Sequence, residues 1–348
     1  MNTFGSLFRV SVFGESHGPA VGVLLDGVPA GVSLSEADFS ADIGRRRPGA
    51  RGTTPRVEAD EPELMSGVFN GKTTGAPLLI MFHNGNVDSK PYEKLKNTPR
   101  PGHADLTASQ KFGGFNDYRG SGHFSGRLTL CLVAAGVVAK KMMAGAGAEE
   151  AGRRGAGAGE GIRIEARLVS AGGSADVQSA VESAMKDGDS VGGVVECKVS
   201  GLPTGLGEPF FDSAESLISH IAFAIPAVKG VEFGTGFAAA KMKGSEMNDS
   251  LADASGRTRT NNSGGINGGI TNGNELVVRI AVKPTSSIAR EQELLDVKSG
   301  EKKKASIAGR HDACIALRVP VVLEAAVAIA LADLMAREQK VKRVQARA

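Results

Sequence analysis

The chain of 348 residues has no tryptophan, two tyrosines and three cysteines. With so few flat aromatic rings it offers little stacking surface for bases, which argues against a nucleic-acid partner. Cys131, Cys197 and Cys314 are scattered, with no CxxC pair. That argues against a disulfide framework or a zinc site and fits a reducing cytosol. The histidines show neither H-E-x-x-H nor i, i+4 pairing, so no metal is expected. Residues 1–5 lack a basic region leading into an apolar stretch, so no signal peptide is expected. The most apolar run, 319–336, holds Glu324 and Asp333 and reads as a buried helix rather than a membrane span. A net charge of +3 is too balanced to imply a polyanionic partner.

What the chain does have is 47 glycines and an ordinary balance of 41 % hydrophobic and 23 % charged residues. A chain of this length can bury a large core, and no Pro/Ser-rich linker divides it. We expect one compact unit over 1–348. Alternation predicts a strand at 7–13, the stretch 21–25 reads as a second and the short apolar run 78–82 as a third, with further strands expected at 162–169, 194–199 and 277–282. Ser35 as N-cap with Asp38 in the first turn predicts a helix to about Arg47, ended by Pro48-Gly49. Further helices are expected at 127–143, 215–222 and 320–340. The low-complexity stretch 144–160 reads as a loop or a frayed helix end. Residues 290–308, with Lys302-Lys303-Lys304, read as an exposed loop that is mobile until ligand binds. Strands and helices follow in mixed order, which favours α+β over a doubly wound parallel sheet.

Three short polar segments carry histidine beside a carboxylate: Gly14-Glu15-Ser16-His17-Gly18, Arg100-Pro101-Gly102-His103-Ala104-Asp105 and Gly309-Arg310-His311-Asp312. Histidine titrates near neutral pH, so these are candidate proton-transfer loops. The first also matches the G-x-S-x-G elbow of serine hydrolases, but that elbow needs a helix directly after it. Here a β-like run, 21–25, follows. Residues 43–57 hold Arg45, Arg46, Arg47, Arg51 and Arg56 with no acid. Guanidinium groups suit bidentate recognition of phosphate and carboxylate. Gly- and hydroxyl-rich segments at 119–127, 261–269 and 283–287 could cradle phosphate, the first at a helix N-terminus. His83 and His220 have no supporting motif and read as structural.

In order along nearly the whole chain, FGESHG, DGVPAG, RRRPG, SGVFNGKTTGAP, RPGHAD, the loop 119–127, VKGVEFGTGF, NNSGGINGGI, KPTSS and GRHDAC resemble the chorismate synthase family. The resemblance implies an α+β sandwich, with helices between two antiparallel sheets in a pseudo-symmetric arrangement. It implies a cytoplasmic homotetramer. The activity implied is a lyase of the shikimate pathway to aromatic amino acids. That lyase performs an anti-1,4 elimination of phosphate from 5-enolpyruvylshikimate 3-phosphate, giving chorismate. It needs reduced FMN, although there is no net redox change. By resemblance His17 would face the departing phosphate, His103 would sit by the flavin, and Asp312 would help flavin N5 take the substrate proton. FMN contacts would fall on His123, Phe124, Ser125, Ala227, Gly268, Lys283, Pro284, Thr285, Ser286, Ser287 and Arg310. Arg45, Arg46, Arg51 and Arg127 would supply the field for the anionic substrate. The family commonly has Arg-Ser-Ser at 123–125, where His123 could replace part of the charge. It often has Pro at 313, where Ala313 is a backbone change that leaves Asp312 in place. No dinucleotide fingerprint is present, so we expect external flavin reduction; NADPH enters only if the chain reduces its own flavin. Two other readings stay open, a serine hydrolase built on Ser16 and a flavin- or anion-binding module without turnover.

Overall fold

The computed structural model describes residues 1–49, 51–54, 59–85, 87–93, 95–153, 161–307 and 311–340. Each half contributes one antiparallel sheet and one long helix. The first sheet orders Thr3–Phe4, Arg9–Gly14, Ala20–Asp26, Leu78–His83 and Glu63–Ser66. The second orders Val228–Phe233, Leu276–Val282, Gly193–Ser200 and Arg163–Ala171. Every pairing in both is antiparallel. The helix Thr129–Arg153 lies on the first sheet, Pro320–Lys340 lies on the second, and the two helices pack on each other. Helices thus fill the space between two antiparallel sheets, the α+β architecture expected.

The strand alternation places Val10, Val21, Val23, Leu25, Leu78, Ile80 and Phe82 on the inner face of the first sheet. Pro320–Lys340 is buried from Val321 to Leu334, where every residue but Glu324 and Asp333 is apolar. The stretch Arg119–Ala144, which includes much of Thr129–Arg153, is long and apolar enough to cross a bilayer, yet 72 % of its most apolar window is buried inside the protein. The two long helices nearly touch backbone to backbone. A Cβ on Gly136 would lie 2.4 Å from Ala325 Cβ, so alanine and glycine at the crossing set the spacing of the sheets.

Two buried acids in the last helix act as ties, as buried charge requires. Glu324 accepts two 2.7 Å bonds from Arg45 and another from the Ala166 backbone N–H. Asp333 Oδ1 accepts the backbone N–H groups of Ser6, Leu7 and Phe8 at 3.0, 2.7 and 2.9 Å.

Several expectations need correction. Residues 35–47 form a 3-10 turn, Glu36–Phe39, followed by the helix Ser40–Arg46. Of the two readings of 144–160, the loop gives way to the helix end, which continues to Arg153, and 154–160 lies outside the described residues. The span 290–307 is not a loop, and 308 lies outside the described residues. Gln292–Leu295 pairs with Lys302–Ala305 as a hairpin, with Asp296 capping the turn through the N–H groups of Lys298 and Ser299.

Candidate active site

The loop 119–126 is built on three consecutive left-handed residues, Gly120, Ser121 and Gly122, at φ 56°, 70° and 52°. Glycine adopts this backbone freely, whereas Ser121 is strained there. Gly120 also has to lack a side chain, because its Cβ would lie 2.2 Å from His17 Cδ2. The Ser16 N–H donates to the Gly122 carbonyl at 3.1 Å. The histidine loop and the glycine-rich loop therefore dock against each other. His17 is buried, its Nδ1 sits 2.9 Å from Ser89 Oγ, and its ring stands edge-on to Tyr92 at 5.2 Å.

Arg100 is buried at the base of the second histidine loop. It donates from Nε and Nη2 to the Asp105 carboxylate at 2.8 Å each, from Nη1 to Ser287 Oγ at 3.2 Å and from Nη2 to Ser121 Oγ at 2.9 Å. His103 Nδ1 lies 2.7 Å from Asp105 Oδ1. Burial pushes the Asp105 carboxyl up, but hydrogen bonds and charge from Arg100 and His103 outweigh it and hold it far below the carboxylate range.

These loops surround two cavities that share His103, Phe124, Ser125, Gly126, Thr129 and Pro226 in their walls. The smaller, about 250 Å³, is walled by Arg46, Arg127 and Arg318, with Ser16, Asp60 and Asp312. Asp60 bridges Arg46 and Arg127 at 2.8 Å each. Asp312 accepts the Thr54 N–H at 2.9 Å and lies 3.6 Å from Arg318. Burial and the neighbouring Arg46 charge lower the proton affinity of Arg318. Arg46 Nε is buried and has no hydrogen-bond partner. Three guanidinium groups against two carboxylates leave a net positive recess that favours an anion.

The larger cavity, about 630 Å³, is walled by His123, Phe124, Ser125, Ala227, Lys283, Pro284, Thr285, Ser286 and Ser287, with Asn2 to Phe4 opposite. Ala227 is held at φ 73°, a strained conformation for a residue with a Cβ. Thr285 Oγ1 is buried without a partner. Burial, and then the charge of Lys229, depress the Lys283 ammonium below its usual range.

Several residues singled out by the sequence fall outside this region. Arg45 points away, tied to Glu324, because adjacent helix positions are turned about 100° apart. Arg51 reaches Glu182 at 2.7 Å on the surface. Gly268 sits exposed at a hairpin tip between Ile266–Asn267 and Ile270–Thr271, away from both cavities. Arg310 lies outside the described residues. His123 is braced by the Gly14 carbonyl and by Asn2 Oδ1, each 3.0 Å from a ring nitrogen. Ser16 is followed by the strand Ala20–Asp26, so the nucleophile elbow lacks its helix. His220, which reads as structural, lines the larger cavity edge-on to Phe4. Sequence reading also missed Asp60, Arg100, Asp105 and Arg318 as site residues. RPGHAD and the Arg after the GRHDAC motif were the available signals.

The fold and these cavities define an α+β protein with a basic recess beside a larger cavity, and His103 in the wall of both. The sequence profile of chorismate synthase matches residues 8–336, and the chain belongs to that family. It is 60 % identical to a chorismate synthase of Chitinophaga pinensis, covering 99 % of each chain. It is 44 % identical to one from Dehalococcoides mccartyi, again over 99 % of each. A crystal structure of chorismate synthase superposes with a TM-score of 0.70 at 26 % identity, covering 96 % of this chain and 93 % of that one.

Proposed function

We propose that this chain eliminates phosphate from 5-enolpyruvylshikimate 3-phosphate to give chorismate, with reduced FMN in the larger cavity. The observation that carries this is the cationic recess opening beside that cavity, with His103 in the wall of both. The larger cavity suits a flavin mononucleotide. Thr285 Oγ1 awaits a partner, Ser286 and Ser287 add hydroxyls, and a phosphate would relieve the Lys283–Lys229 repulsion. When bound, reduced FMN supplies an electron-rich ring that takes the substrate proton with no net redox change.

The chain's own groups do the rest. Arg46, Arg127 and Arg318 bind the carboxylates and the phosphate and stabilise the charge that grows as the C–O bond breaks. His17 hydrogen-bonds the departing phosphate. His103 holds a proton beside the cofactor. Asp312, fixed by the Thr54 N–H, orients the proton-accepting side. Among the exposed large apolar side chains, Phe115, Phe210, Phe211 and Phe237 are each more than four-fifths accessible. They support a homotetramer, which mass photometry tests. One buried cluster running from Phe8 to Leu334 supports a single domain.

Turnover is expected only with reduced FMN under anaerobic conditions; no chorismate there overturns the reading. His17→Ala and His103→Ala are each expected to lower kcat by roughly ten- to ten-thousand-fold. Near-normal rates would remove those roles. Turnover with oxidised FMN and NADPH in air would show that the chain reduces its own flavin.

A further inference from the structure

We propose that Asn84 is a positioning residue that holds the turn bearing His17 in register with the Arg127 guanidinium. The inference rests on the reading of His17 and Arg127 as groups that act on the departing phosphate. Its own basis is one side-chain amide bonded to both.

Asn84 directly follows the strand Leu78–His83 and is half-buried. Its backbone N–H donates to the Pro19 carbonyl at 3.0 Å. From there Nδ2 donates to the carbonyls of Glu15 and Gly18 at 3.0 and 2.8 Å. Those two residues flank Ser16 and His17. The Gly18 N–H also bonds the Glu15 carbonyl at 3.0 Å, so the amide clasps a closed turn. On its other side Oδ1 accepts from Arg127 Nε. Chemistry fixes which way this amide points. A backbone carbonyl only accepts and a guanidinium only donates, so a flipped amide would set oxygen against two oxygens and NH₂ against N–H. The same strand end supplies the His83 carbonyl, which accepts from Arg127 Nη2 at 3.3 Å, while Asp60 accepts from Nη1 at 2.8 Å. All three guanidinium nitrogens are thus oriented by protein acceptors.

Arg127 and Ser16 both wall the basic recess, and the His17 ring lies against Gly120 of the same wall. Two groups that act on one leaving phosphate have to converge on it, yet these sit on separate loops. A shift of about 1 Å in a reacting group costs about a hundredfold in rate, so their register matters as much as their presence. None of the partners of Asn84 belongs to the buried apolar cluster. Its loss should therefore be felt in the site more than in the fold.

The test is a double-variant cycle read by steady-state kinetics with reduced FMN, alongside melting curves. Asn84→Ala should fold and lower kcat by about a hundredfold, with KM changed less than about threefold, because Arg46 and Arg318 line the recess without touching it. Asn84→Asp keeps an acceptor for Arg127 but sets a second acceptor against the Glu15 and Gly18 carbonyls, so it should lose at least as much. Added to His17→Ala, Asn84→Ala should cost less than about threefold more, because the group it positions is gone. A second hundredfold loss there overturns the proposal, as does near-normal kcat in either Asn84 variant or a loss confined to KM. If Asn84→Ala does not fold, Asn84→Asp carries the same cycle. Failure of both to fold also overturns the proposal, since the amide would then hold the fold rather than the site. A near-normal His17→Ala overturns the functional reading beneath it, whatever the Asn84 variants do.

Discussion

Replacing Gly120 by alanine places one methyl group where the His17 ring now lies. The new Cβ would be 2.2 Å from His17 Cδ2, 2.4 Å from Nε2 and 3.0 Å from Ser16 Oγ. The left-handed backbone, φ 56°, costs a residue with a Cβ about 1–2 kcal/mol. Displacing the ring loses the Ser89 hydrogen bond, about 1 kcal/mol. It also loses the Tyr92 edge contact, about 0.5–1.5 kcal/mol. The total is about 3–4 kcal/mol. With an unfolding entropy of about 2.1 cal/mol/K per residue over 348 residues, Tm falls by about 4–6 °C. A 1 Å misplacement of a reacting group costs about a hundredfold, so kcat should drop by at least that. Calorimetry and turnover measure both. The double variant Gly120→Ala/His17→Ala is the sharper assay. With the ring gone the methyl has room, so the extra loss from Gly120→Ala should shrink to the backbone cost, about 1–2 kcal/mol. Additive penalties would refute the steric argument, and so would an unchanged melting temperature in the single variant.

Other perturbations probe the rest of the site. Asp60→Asn leaves the buried Arg46 and Arg127 without their shared carboxylate and should cost about 3–5 kcal/mol in denaturant melts. Inorganic phosphate should restore more stability to this variant than it adds to the wild type, and equal gains would count against an anion recess. Thr285→Val removes a buried hydroxyl that has no protein partner. Without flavin it should be neutral or stabilise by up to about 2 kcal/mol, yet weaken FMN binding by about tenfold. Fluorescence titration alongside melting checks the opposite signs. Asp105 titrates below its unfolded value near 3.9. Its stabilisation is therefore fully present above about pH 4 and is lost as pH falls further. The stability gap between wild type and Asp105→Asn should be flat from pH 5 to 7 and close below pH 4. A gap that widens on acidification would contradict the assigned sign.

Arg9–Gly14 was legible from its alternation, and Ala20–Asp26 and Leu78–His83 from short apolar runs. So was the final helix, whose apolar content leaves no alternative to burial. Glu63–Ser66 was not, since this edge strand is mostly exposed and carries no pattern. Val228–Phe233 was hidden by its lysine and glycine. Arginines read as one cluster split once folded, because Arg45 and Arg46 leave the helix in different directions. Arg318 drew no notice because its partners, Asp312 and the Arg46 carbonyl, are brought to it only by the fold. The histidine loops stood out for the opposite reason: glycine, histidine and carboxylate sit next to each other in the chain.

The carboxylate of Asp333 has a consequence for biosynthesis. It ties down the N–H groups of residues 6–8, yet it is made 325 residues after Phe8. At roughly 5–20 residues per second that delay is about 16–65 s. Residues 2–4, which wall the larger cavity, lead into the segment whose anchor is made 325 residues later. A nascent chain stopped short of residue 333 would carry the three histidine loops and most of the arginines with one cavity wall still loose. Cofactor capture should therefore wait for Pro320–Lys340 to be made and docked.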